Sequence, residues 1–125
     1  MILYHHTRYE SIESILHEGL IGGPDALPPG PGVVWLTTHP EPTFAISYIS
    51  GTGPQLDCRI KLVIPSRDKL LVHWWSWARK HGPEMLGALK ICYRGTDHIR
   101  SAKASYCYFG TVPPDYFRAV DRMAA

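Results

Sequence analysis

Leu3-Tyr4-His5-His6-Thr7 is an apolar and aromatic run that closes on two histidines and a threonine. Immediately after it the periodicity changes. Tyr9, Ile12, Ile15, Leu16 and Leu20 recur at three- and four-residue steps, which predicts a helix with one buried face over about Thr7 to Glu18. Thr7-Arg8-Tyr9-Glu10 has the form of a capping box, the Thr7 hydroxyl accepting from the third helical amide while Glu10 reaches back. Gly19 stands where the helix should stop. The chain is therefore expected to open as strand, sharp turn and helix, with His5 and Thr7 at the corner. Such a corner presents unpaired backbone donors and suits an anionic or polyhydroxyl ligand.

The other segments read outward from this corner. Residues Ile21 to Gly32 hold four prolines and four glycines and predict an irregular loop. Gly32-Val33-Val34-Trp35-Leu36-Thr37-Thr38 is the strongest strand, and Pro40 to Tyr48 suits a short helix bearing Phe44, Ala45 and Tyr48. Leu56, Cys58, Ile60, Leu62 and Ile64 alternate with Asp57, Arg59 and Lys61, a strand with one wet face. Leu70 to Val72 predicts a short strand, and Trp74 to Lys80 and Pro83 to Lys90 two helices broken at Gly82. Tyr93 to Lys103 reads as polar loop. Ala104 to Val112 reads as an aromatic strand with a bulge at Gly110, and Tyr116 to Val120 as a last strand after the Pro113-Pro114-Asp115 turn. No internal repeat and no regular βαβ rhythm is present, so the class is α+β.

At 125 residues, with 45% hydrophobic and 19% charged residues, the composition is that of one globular domain spanning 1–125. The net charge of +2 has no run of Lys or Arg behind it, weak support for nucleic-acid binding. Cys58, Cys92 and Cys107 are odd in number and irregularly spaced, which argues against a disulfide framework and for a reducing compartment. No segment has the ~18–20 apolar residues of a membrane helix, and Arg8 and Glu10 come too early for a secretory signal, so a cytoplasmic location is expected. No His/Cys spacing matches a zinc pattern, so no metal is expected. Phosphate-loop and G-x-S-x-G motifs are absent. Trp74, Trp75 and Trp77 cannot all be buried on one face of a helix, which leaves a surface there for a protein partner.

Three of these stretches resemble the ADP-ribosyltransferase superfamily, in the branch with a first-strand histidine that includes the poly-ADP-ribose polymerases, the RNA 2′-phosphotransferases and the DarT-like toxins. Tyr4-His5-His6-Thr7 is similar to the family's H-x-T strand, Gly32 to Thr37 to its G-[IV]-Y-F-[AS] strand, and Thr43-Phe44-Ala45-Ile46-Ser47-Tyr48 to its S-K-S-A-x-Y helix. The resemblance implies a small split antiparallel sheet with flanking helices, holding NAD as co-substrate in a cleft. It also implies transfer of ADP-ribose to a protein or nucleic-acid acceptor, or hydrolysis of NAD, as in a toxin, phage effector or defence component. By the same resemblance, His5 contacts the adenosine ribose and Thr7 the nicotinamide ribose or carboxamide. Trp35 and Tyr48 clamp the nicotinamide ring as catalytic residues with His5, and Thr37 and Ser105 complete the cofactor-binding set. This chain departs from the family at the fifth-strand glutamate. Ala104 to Phe109 holds no acid, Ser105 or Tyr106 stands near its place, and Glu10 and Asp97 are the candidate substitutes. That departure keeps a second reading open, a non-catalytic module of the same fold that binds a partner protein or nucleotide.

Overall fold

The opening stretch forms strand β1 (Ile2–Thr7), and the register of the whole sheet follows from it. The computed structural model describes residues 1–23, 29–41, 56–84, 86–87 and 98–122. After β1 come helix α1 (Ile12–Glu18), β2 (Val34–Thr37), β3 (Cys58–Val63), β4 (Leu71–His73), α2 (Trp74–His81), α3 (His98–Lys103), β5 (Ser105–Tyr108) and β6 (Phe117–Arg122). The result is a small α+β fold. Its six strands form one antiparallel sheet in the order β4-β5-β2-β1-β3-β6. Instead of an open split, the sheet narrows at one junction. The β1–β2 ladder rests on Tyr4 opposite Thr37, whereas β1 and β3 pair along all of β1, from Ile2–Val63 to Thr7–Cys58.

Each face of the sheet carries its own apolar cluster. Successive side chains of a strand point to opposite faces, and residues directly opposite in an antiparallel pair share one. Leu3, Leu62, Ile60, Cys58, Val34, Leu36 and Tyr108 therefore lie together, all buried, and α1 covers them with Ile12 and Ile15. On the other face, Trp35 and Cys107 meet Trp74, Trp75 and Ala78 of α2 and Ile99 and Ala102 of α3. The alternation expected of the third strand is present, with Cys58, Ile60 and Leu62 at 0–1% exposure between half-buried neighbours.

Several expectations are corrected. No capping box forms. Thr7 ends β1, a 3-10 turn spans Tyr9–Ser11, and α1 begins only at Ile12, with no side-chain cap bond at either start. The neighbouring backbone and side chain turn elsewhere: Tyr9 N–H donates to Asp57 Oδ1 (2.8 Å), and the Glu10 carboxylate accepts from Arg8 (3.3 Å). Pairing of Thr7 with Cys58 holds the threonine in the sheet and so denies it the cap position. Residues 98–103 are helix, not loop, because Ile99 and Ala102 recur at three-residue spacing and bury against α2. The irregularity of pairing falls between Lys61 and Leu62 opposite β6, not at Gly110. The helix expected over Pro40 to Tyr48 lies mostly outside the described residues, as does most of the one expected over Pro83 to Lys90.

The stop at Gly19 is as expected. Its N–H donates to Ile15 O (2.8 Å), its φ of 90° with ψ of 179° is backbone that L side chains rarely adopt, and an added Cβ would strike the Val112 carbonyl. Leu20 then bridges Val112, which fixes the end of α1 to the strand connection beyond β5. Gly19→Ala is expected to lower the free energy of unfolding by roughly 2–3 kcal/mol, while Gly23→Ala, where a Cβ meets open space, should change it little. Urea midpoints of the two variants check this.

Candidate functional site

Where β1 and β2 narrow, the His5 ring reaches across and its Nδ1–H donates to the Trp35 carbonyl (2.9 Å). A carbonyl can only accept, so Nδ1 carries the proton and the neutral ring keeps its lone pair on Nε2. The residue is half-buried, and burial pushes its pKa below the ordinary value, against the smaller opposing effect of the Trp35 bond. His5 is thus a neutral acceptor at pH 7.

Around it is a concavity of about 250 Å³ between the end of β1 and one flank of α1. Thr7, Ser11, Ser14 and Glu18 line it, with Ile15 and Ile21 as apolar wall. Ser14 Oγ donates to Glu18 Oε2 (3.4 Å). The cleft therefore offers one imidazole acceptor, three hydroxyls and one carboxylate, a set that matches a polyhydroxyl ligand. An anion suits it less, since Glu18 adds negative charge and the Tyr9 amide is already spent on Asp57. A larger and more open depression of about 410 Å³ lies nearby, lined by Arg8, Tyr9, Glu10, Asp57 and Arg122. Its charges are mutually balanced, and it holds no histidine.

The candidate residues do not assemble into one site. His5 and Thr7 share the α1 face, as their pairing with Ile60 and Cys58 requires. Trp35 lies on the α2 face, its ring 5.9 Å from that of Trp74 and tilted by 53°. The Tyr4–Thr37 register decides this, because it sets Trp35 opposite His6 and leaves Leu36 opposite His5. The groove expected between His5 and Trp35 is consequently not formed. Thr37 and Ser105 face each other on the tryptophan's side, both buried, and Thr37 Oγ1 accepts from the His39 amide (3.2 Å). Tyr48 and Asp97 lie outside the described residues. Of the adjacent tryptophans, Trp74 and Trp75 are buried in the core under α2, so only Trp77 reaches the surface expected for a partner.

Sequence reasoning passed over Ser11, Ser14 and Glu18. Their three- and four-residue spacing was readable as a polar stripe beside the Ile12–Ile15 stripe. His6, on the opposite face of β1, is buried at 5% exposure. Its Nε2 is 3.3 Å from the His39 carbonyl, and Nδ1 is buried with no hydrogen-bond partner among the described residues. Burial pushes its pKa down to about 4. The His39 carbonyl opposes that shift, and the charges of His5 and Arg59 reinforce it. Asp68, also unnoticed, accepts from Tyr108 Oη (2.7 Å), Tyr116 Oη (2.9 Å) and the Leu70 amide, and so ties the β3–β4 connection to β5 and the turn before β6.

Comparison with protein-family models, with curated proteins and with solved structures gives no match. No described helix is long and apolar enough to cross a membrane.

Between pH 6.5 and pH 4, unfolded His6 takes up a proton that the folded residue refuses. Stability therefore rises with pH through this window and is lost as pH falls. The shift corresponds to about 3 kcal/mol from His6. His6→Gln is expected to flatten the dependence of the urea midpoint on pH between 6.5 and 4.5 while lowering the midpoint at pH 7 through loss of the His39 contact.

Proposed function

We propose that this chain is an ADP-ribosyltransferase-like protein that binds NAD, with one of its riboses in the His5 cleft. The observation that carries the reading is the convergence of His5, Thr7, Ser14 and Glu18 on one concavity. At about 250 Å³ it falls below the ~300–1,000 Å³ of pockets that enclose whole drug-sized ligands, so it takes a ribose and leaves the rest of the dinucleotide outside. The neutral His5 Nε2 accepts from one ribose hydroxyl, and Thr7 or Ser11 bonds another.

In this reading Glu18 supplies the carboxylate that the fifth strand lacks. Cleavage sends the C1′–N bonding electrons out with nicotinamide and leaves positive charge on the ribose. A nearby carboxylate stabilises that charge, and because Glu18 is exposed, solvent screens part of the effect. An acceptor nucleophile, or water, then attacks C1′ and gives up a proton. The acceptor is a macromolecule if the chain works as a toxin, phage effector or defence component, and water if it hydrolyses NAD.

The position of Trp35 favours the second reading. Packed on Trp74 across the sheet, it is not a platform for a nicotinamide ring held beside His5. A non-catalytic module of this fold that holds a ribose-bearing nucleotide in the same cleft needs no such platform.

Labelled NAD separates the readings. Calorimetry should show binding that His5→Ala weakens at least about tenfold, the cost of one lost hydrogen bond to a ligand hydroxyl. Glu18→Gln should leave binding within a few-fold and cut nicotinamide release by about tenfold. Trp35→Phe should lower stability without changing affinity. Binding without release in the wild type establishes the non-catalytic module, and absence of binding overturns both readings.

A further inference from the structure

We propose that the exposed surface shared by α2 and α3 binds single-stranded nucleic acid. The two helices are far apart in sequence and packed together in the fold, where Trp75 and Ala78 of α2 meet Ile99 and Ala102 of α3. Neither helix contains an acidic residue: α2 reads WWSWARKH and α3 reads HIRSAK. Arg79, Lys80, Arg100 and Lys103 are all exposed on this pair. Arg79, Lys80 and Lys103 have no carboxylate partner among the described residues.

Geometry adds to the charge. Lys103 Nζ lies 5.2 Å from the centre of the Trp75 ring, and Arg79 follows Trp75 by one helical turn, which places the two cations on the same flank. Along the other flank, Trp77 and His81 stack at 4.7 Å with planes only 16° apart, and the outer ring, His81, is exposed. Its Nδ1 is 2.9 Å from the Trp77 carbonyl, which holds the ring in place. Cations in the last turn of a helix are expected from the helix dipole. That accounts for a charge or two at each helix end, but not for two helices without any acid grouped over one aromatic layer.

Cations beside a fixed stack of flat rings answer the two features of an unpaired strand, a phosphate backbone and exposed base faces. A duplex hides its base faces, and an acidic protein segment has none, so the stack selects the single strand.

The test uses the whole chain without NAD, so its outcome is independent of the cleft reading. Anisotropy of a fluorescein-labelled mixed-sequence single strand of about 16 nucleotides should report binding whose logarithm falls with log salt at a slope of about −2 to −3. The combined variant Arg79→Ser, Lys80→Ser, Lys103→Ser should reduce that slope by about 2 and weaken binding more than about tenfold. His81→Ala should weaken binding by about tenfold and leave the slope unchanged. All four positions are exposed, and unchanged thermal midpoints show that the variants fold. Equal affinity for the duplex or for polyglutamate, no binding of the single strand, or binding indifferent to these substitutions would overturn the proposal.

Discussion

The two-residue alternation of β1, fixed in register on one side by β3, governs most of what this fold can do. His5 and His6 are neighbours in sequence and are sent to opposite faces. One enters a hydroxyl-lined cleft beside α1, and the other is enclosed near Arg59 and the His39 carbonyl. A slip of one residue would exchange them and would also turn Leu3 out of the core. The burial of Leu3, Ile60 and Leu62 on a single face makes that slip prohibitively costly. Apolar packing on the α1 face thus decides which imidazole lines the cleft.

The narrow β1–β2 junction gives the cleft its chemistry. The His5 ring spans the gap to the Trp35 carbonyl, and that bond fixes its tautomer. Burial keeps the ring neutral, so it acts as an acceptor of defined direction and not as a cation. The hydroxyls beside it come from α1, and α1 is held at both ends by contacts remote in sequence. Asp57 takes the amide at its entry, and the Leu20–Val112 bridge secures its exit. The geometry of the site therefore depends on Asp57 and Val112, which do not line it.

Much of this could be read along the chain. The period-two patterns of residues 2–7 and 56–64 are strong because each strand has one dry and one wet face, and Gly19 marked its helix end because no other residue tolerates that backbone. The cap at Thr7 was misread because the local motif competes with sheet pairing, and pairing with Cys58 prevails. The pairing of His5 with Trp35 was misread for a related reason: motif order specifies which residues lie near one another along strands, not which face each one takes.

The sequence by itself determined the α+β class, most of the strands and the helix from Trp74, because periodicity and terminal signals are local properties of the chain. Only the tertiary structure decided that His5 and Trp35 stand on opposite faces, that Glu18 joins His5, and that α2 and α3 merge their cations over one core. Those facts depend on register between strands and on packing between helices distant in sequence. Both are set by the mutual burial of apolar faces, which no single stretch specifies alone.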